Sequence, residues 1–162
     1  MTVYGLTGKT GAGKSTVAAF LKKKGFCQYE VSNFARKGYE CKHNIKYWTG
    51  EEYIGFGLSA HSYLNGKRFA NAKTFGEYYS KKIAMQEDLT TGQLIEEHIM
   101  LGLRCNKGVD KGYLLSLGYD ICKNEYLTDF VEKAVIIDTK ERLFLNPEFY
   151  GVNNYIIVHL LP

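Results

Sequence analysis

Cysteine is sparse and scattered. The four residues Cys27, Cys41, Cys105 and Cys122 include no C-x-x-C pair, which argues against a disulfide framework or a structural zinc site. Reduced thiols and a cytoplasmic setting are expected. Long apolar runs are also missing: the tail Tyr155 to Leu161 is too short to span a bilayer, and Met1 to Thr10 has no cationic segment leading into an apolar one, so neither membrane insertion nor a secretory leader is expected. Nor does one sign of charge dominate. The formal net charge is +4 and its densest cluster is Lys22-Lys23-Lys24, at the end of an expected helix where cations suit the helix dipole. No second basic block accompanies it, so nucleic-acid binding is not expected. There is no internal repeat and no low-complexity tract.

What remains is a globular composition, 45% hydrophobic and 23% charged, rich in tyrosine with 13 residues and carrying a single Trp. Thr2 to Leu6 reads as a short strand, Ser15 to Lys24 as a helix through Val17, Phe20 and Leu21, and Gln28 to Phe34 as a second strand. Together they predict a strand-helix-strand unit of the length a parallel crossover needs. Further on, a short aromatic helix ends near Trp48, and Tyr53 to Tyr63 reads as a strand or strand-loop. Lys67 to Asn71 reads as a strand, and Thr74 to Ile83 and Thr90 to Leu103 as helices. The second of these helices is capped at Leu89-Thr90-Thr91 ahead of Gln93. Lys111 to Ser116 and Tyr126 to Lys133 are expected helices. Val135 to Asp138 and Arg142 to Asn146 flank a turn, and Pro147 opens a last helix. Three helices followed by a hairpin predict a winged-helix-like module.

Residues Gly8 to Ser15 read G-K-T-G-A-G-K-S between the first strand and the first helix. Glycines at this spacing let backbone N–H groups converge on an anion beside a helix N-terminus. The candidate nucleotide- or phosphate-binding residues are therefore Gly8, Gly11, Ala12, Gly13, Lys14, Ser15 and Thr16. Lys14 would reach the outer phosphates of ATP, and Ser15 would hold its magnesium. The stretch from Val3 to Ala18 resembles the opening of dephospho-coenzyme A kinase, and that resemblance ends near Phe26. The acidic residue that the family's next strand supplies has no counterpart here beyond Glu30, and the lid arginines have none. Kinase turnover is not expected, and no catalytic residue is assigned.

From Cys27 onward a different resemblance takes over. Gln28-Tyr29-Glu30-Val31-Ser32-Asn33-Phe34-Ala35, His43-Asn44-Ile45-Lys46-Tyr47-Trp48 and Gly55-Phe56-Gly57-Leu58-Ser59-Ala60-His61-Ser62-Tyr63 resemble the oxygen-independent coproporphyrinogen III oxidase-like family in its HemW-type haem-chaperone branch. Leu101-Gly102-Leu103-Arg104, Gly108-Val109, Arg142-Leu143 and Asn154 continue it. Ala134 and Asn146 depart from the family's glycine and threonine. The resemblance implies a radical S-adenosylmethionine protein with a partial α/β barrel and a small C-terminal helical domain. The cysteine triplet that would hold a [4Fe–4S] cluster is not among these residues, so cluster and S-adenosylmethionine chemistry are not expected of this chain. The resemblance also implicates the H-N-x-x-Y-W segment in haem binding, through His43, Asn44, Tyr47 and Trp48. On a helix, His43 and Tyr47 share a face at i,i+4, and Asn44 and Trp48 share the next. Cys41 would offer a thiolate nearby, or simply a half-buried thiol, and His61 lies where the family's barrel end approaches its cofactor.

The expected fold class is α/β, or α+β over the whole chain: a partial parallel barrel fragment led by a phosphate-loop strand-helix unit and followed by a winged-helix-like domain with a β-hairpin. The expected domains are residues 1–26, 27–85 and 86–162, with the phosphate-loop unit standing in for a missing barrel unit. The leading functional expectation is a truncated haem chaperone that contacts haem or a porphyrin and a haem-accepting protein. A nucleotide-binding protein and a chimera without activity are the alternatives.

Overall fold

In the computed structural model, which describes residues 2–9 and 11–162, the first unit comprises β1 (Val3–Gly5), α1 (Lys14–Lys23), β2 (Cys27–Gln28) and β3 (Asn33–Ala35). Thr10 of the glycine loop lies outside the described residues. The strands are ordered β1-β3-β2, and both β1 and β2 pair antiparallel with β3. This corrects the expected crossover. The chain leaving α1 does run parallel to β1, but β3 lies between them, and the expected strand Gln28 to Phe34 is broken in the middle.

The break has a physical cause in the C-terminal half. Glu30 bridges Cys105, the Val31 N–H donates to the Arg104 carbonyl at 2.9 Å, and the Asn106 N–H donates to the Tyr29 carbonyl at 2.9 Å. Backbone groups that would have continued one strand are satisfied by a distant segment instead. Helix α1 sits loosely on this unit. Leu21 is buried, whereas Val17 and Phe20 remain 44% and 57% exposed.

The middle of the chain contains α2 (Lys42–Thr49), β4 (His61–Leu64), β5 (Lys67–Asn71), α3 (Phe75–Tyr79) and β6 (Ile83–Asp88). Strands β4, β5 and β6 form an antiparallel meander with an irregularity between Ala70 and Asn71. Two corrections arise here. The helix expected over Thr74 to Ile83 stops at Tyr79: Thr74 caps its start, but Lys81 takes φ +57° and turns the chain into β6. The stretch Tyr53 to Tyr63 is mostly loop. A single bridge joins Tyr53 to Tyr63, and the Asn71 side chain donates to the carbonyls of Gly55 and Gly57 at 3.2 and 2.9 Å.

The parallel barrel edge is corrected with them, since every strand ladder among the described residues is antiparallel. The connections explain it. β4 and β5 are joined through Asn65-Gly66 alone, and so short a link can only reverse the chain.

The C-terminal half contains α4 (Thr91–Gly102), β7 (Val109–Asp110), α5 (Lys111–Ser116), α6 (Leu127–Glu132), β8 (Ile136–Asp138), β9 (Arg142–Leu145) and α7 (Asn153–Leu160). Thr90 and Gln93 form a reciprocal capping box at the start of α4, and Asp110 caps α5 through the Tyr113 N–H. The strand order is β7-β9-β8. Pro147 opens a 3-10 turn that leads into α7. The hydrophobic core lies here: Ile99, Leu103, Val109, Leu114, Ile121, Ile136, Leu143 and Leu160 are sealed from solvent. At the α7 end, Arg104 donates to Asn154 at 2.8 Å.

The seam between the halves holds a buried carboxyl. Glu30 is 1% exposed and its Oε1 has no hydrogen-bond partner, and the Tyr29 hydroxyl is likewise buried without one. Asn44 and the Cys41 backbone approach that hydroxyl without reaching hydrogen-bond geometry. Burial pushes the Glu30 carboxyl above its ordinary value of 4.5, against the opposing pull of the Ser32 and Asn33 backbone. Because the folded state holds this proton more tightly than the unfolded chain, Glu30's contribution is complete below pH 4.5 and is lost as pH rises through the raised value. Glu30→Gln is therefore expected to remove a fall in the urea midpoint that wild type shows over that window. An identical pH profile for the two proteins would contradict it.

Candidate functional site

Helix α2 is amphipathic by position rather than by deep burial. Gly50 ends it at φ +68°, and the Thr49 hydroxyl donates back to the Ile45 carbonyl at 2.9 Å. The i,i+4 reading holds: the His43 ring meets the Tyr47 ring edge-on at 4.9 Å between centroids, and Tyr47 packs on Tyr53 at 4.5 Å. His43 is exposed, Trp48 half-buried.

Beside this helix opens a cleft of about 870 Å³, bounded by α2, β4, β5, α4 and the β7–β9 wing. Its size suits a medium-sized organic ligand. Tyr47 and Trp48 line it, together with Tyr53 and Tyr63. His43 and Asn44 stand one turn back along α2, outside the lining. The four expected residues thus share one helix, but only two face the cavity. Cys41 precedes the helix as a half-buried free thiol. His61 is exposed on β4 and does not line the cleft.

The opposite wall is polar. Arg68 makes a two-pronged pair with Glu97, which holds the guanidinium firmly protonated, and its charge lies 5.7 Å from the Tyr63 ring centre. Asp110 is the hub of the other side. One carboxylate oxygen caps α5, while the other accepts from Arg142 at 2.8 Å. Its backbone N–H donates to His98 Nε2 at 2.8 Å. Burial keeps His98 below the ordinary histidine value, and the nearby Arg142 charge acts in the same direction, against the pull of Asp110. The His98 ring also rests on Tyr113, 4.6 Å between centroids.

The polar wall went unread in the sequence. Its members come from β5, α4, the start of α5 and β9, so no local spacing joins them. The one local signal was Asp110 ahead of Lys111, which has the form of a helix cap.

The glycine loop is a separate feature. Gly8, Gly11 and Gly13 all take positive φ, and Lys14 folds back to donate to the carbonyls of Gly8 and Lys9 at 2.6 and 2.8 Å. An incoming phosphate would have to draw Lys14 off these carbonyls. Gly8, Gly11, Ala12, Gly13, Ser15 and Thr16 are all exposed, and none of them lines the cleft.

The donor set does not fit an iron–sulfur cluster. Cys27 and Cys122 are exposed, Cys105 is buried and Cys41 half-buried, and among the described residues no three His, Cys, Asp or Glu side chains converge as a metal-holding group. Among the described residues, no helix is long and apolar enough to cross a membrane.

With the site laid out, comparison with known proteins places the fold first. Coproporphyrinogen III oxidase (HemN) from Escherichia coli, described as a radical SAM enzyme, matches with a TM-score of 0.64 over 91% of this chain and 39% of that one, at 15% sequence identity. The fold is therefore HemN-like, with mixed helix and strand.

In sequence the chain is similar to the haem chaperone HemW of Bacillus subtilis, 37% identical over 141 residues, covering 80% of this chain and 36% of that protein. It is also similar to the haem chaperone HemW of Lactococcus lactis, 31% identical over 150 residues, covering 87% of this chain and 39% of that protein. The chain spans between a third and two fifths of the length of these relatives. No family model matches it. These relatives support the HemW-type resemblance read from residues 27–162.

Proposed function

We propose that this chain is a HemW-like haem- or porphyrin-binding protein, whose contact surface is α2 and the aromatic cleft beside it. One observation carries the reading: Tyr47 and Trp48 form a wall of the cleft, while the His43 ring packs edge-on against Tyr47 from one turn back along α2. Flat aromatic side chains give a tetrapyrrole apolar surface at low conformational cost, and an imidazole is a common axial ligand to haem iron. Asn44 completes the set from the adjoining helix face.

Haem is cargo in this reading. The chain's own work is to bind the macrocycle, shield it from water and release it to a haem-accepting protein, in the cytoplasm and without cluster or S-adenosylmethionine chemistry of its own. The element order α4-β7-α5-α6-β8-β9 is that of a winged helix, and we read residues 86–162 as the domain that meets the acceptor. Residues 27–85 are then the barrel-derived part, and residues 1–26 the phosphate-loop unit. Haem titration tests the central step. Wild type is expected to shift the Soret band, and His43→Ala is expected to alter the position of the bound band. An unchanged band in the variant would remove His43 from the site.

The left-handed glycines and Lys14 support a second, subordinate reading, in which Gly8 to Thr16 bind the phosphates of ATP weakly. Calorimetry with magnesium-ATP is expected to give a small heat that Lys14→Ala abolishes. No heat with wild type would dispose of it.

A further inference from the structure

The polar wall of the cleft faces a surface that needs no polar ligand, and its chemistry narrows what it would take. The linings of the cleft carry four cations and three anions: Lys46, Arg68, Lys107 and Arg142 against Glu51, Glu97 and Asp110. Four of these charges cancel in two pairs, Arg68 with Glu97 and Arg142 with Asp110. Lys107 makes no ion pair among the described residues, although its own backbone carbonyl accepts from Arg142 at 3.0 Å. It precedes β7 and lines the cleft together with His98 of α4 and Arg142 of β9.

His98 sharpens the reading. A backbone amide can only donate, so the Asp110 N–H at 2.8 Å forces His98 Nε2 to be the acceptor and puts the ring proton of the neutral imidazole on Nδ1. Among the described residues no hydrogen bond engages that Nδ1–H. The ring therefore cannot ligate a metal through Nε2 without breaking the Asp110 contact. It is a held hydrogen-bond donor that lines the same cleft as the unpaired Lys107 ammonium and the partly engaged Arg142 guanidinium. A carboxylate is the group that accepts from such donors while adding a single negative charge.

We propose that His98, Lys107 and Arg142 form a carboxylate subsite at the wing end of the cleft, which takes the propionate groups of a tetrapyrrole whose ring rests against Tyr47 and Trp48. This inference rests on the haem reading above and adds the polar anchor that the aromatic wall lacks. It gives the cleft a direction: apolar ring toward α2, acid groups toward the wing. It also separates two roles for histidine in the chain, His43 toward the iron and His98 toward the carboxylates.

The test compares haem with haem dimethyl ester, which keeps iron and ring but has no ionised carboxylate, by Soret titration on wild type, His43→Ala, Lys107→Met and His98→Phe. Wild type is expected to bind the free acid about tenfold more tightly than the ester. Lys107→Met and His98→Phe are expected to bring the two ligands to within about threefold of each other, with the bound Soret position unchanged. His43→Ala is expected to alter the Soret band and keep the acid preference. Lys107 is exposed, so its variant tests the subsite even where His98→Phe fails to fold. Equal binding of acid and ester by wild type, or an undiminished preference in Lys107→Met, would overturn the subsite and leave the haem reading standing. No Soret change with either ligand would overturn the haem reading and the subsite with it.

Discussion

Gly108→Ala is expected to unfold the C-terminal half at ordinary temperature, or to lower its urea midpoint far more than Gly118→Ala does. Gly108 holds φ +69°, and a Cβ there would lie 2.5 Å from the Leu143 carbonyl oxygen and 2.7 Å from Phe144 Cδ1. The first obstacle is backbone of the paired strand β9, which cannot swing aside as a side-chain tip can. Left-handed strain of about 1–2 kcal/mol adds to an overpacking cost of about 1–3 kcal/mol, a large share of the about 5–15 kcal/mol that holds a domain folded.

Gly118 is the internal comparison. It holds φ +86° with nothing within 4 Å of a built Cβ, so Gly118→Ala should show the strain alone. Equal urea midpoints for the two variants would contradict the claim that α4 and the wing are locked together at Gly108. Gly102 supports the claim from the other side, because a Cβ on it would meet the Gly108 carbonyl oxygen and Val109 Cγ2, each at 2.8 Å.

The second large effect concerns ligand rather than stability. Replacing Tyr47 and Trp48 together with alanine is expected to weaken haem binding by about tenfold to hundredfold, the loss typical of removing aromatic anchors from a binding surface. Neither ring is part of the sealed core, which lies between Ile95 and Leu160, so the fold should survive the change. Far-UV circular dichroism and the melting profile check that it does. Tyr155→Ala, on α7 and 61% exposed, is the matching control on a different surface. Haem affinity equal in the double variant and wild type would mean that the cleft is not where the ring lies.

Much of the C-terminal half was legible because its signals are local. The Thr90 and Gln93 capping box, the hairpin around Thr139, Lys140 and Glu141, and Pro147 at a helix start each depend on residues a few positions apart. The i,i+4 relation of His43 and Tyr47 was readable for the same reason. The front half misled where long-range pairing overrode local pattern. Glu30 and Val31 look like the middle of a strand, yet their partners are Cys105 and Arg104, more than seventy positions away. Phe75, Tyr78 and Ile83 have helical spacing, but Lys81 reverses the backbone between them and Ile83 begins a strand. Strand β7 escaped notice altogether, since two residues pairing with β9 carry no periodicity.

The cleft shows the same division. Tyr47 and Trp48 sit on one short helix and could be named from the sequence, whereas Arg68, His98, Asp110 and Arg142 meet only after the meander and the wing have folded against α4.

The most direct test of the account is an amide and side-chain NMR titration of isotope-labelled protein with gallium protoporphyrin IX, a diamagnetic stand-in for haem whose ring current marks whatever lies against it. The account predicts the largest shifts at Tyr47, Trp48, Tyr53 and Tyr63, with smaller ones at His98 and Lys107. Shifts confined to Gly8 to Thr16 or to α7, or none at all, would contradict it.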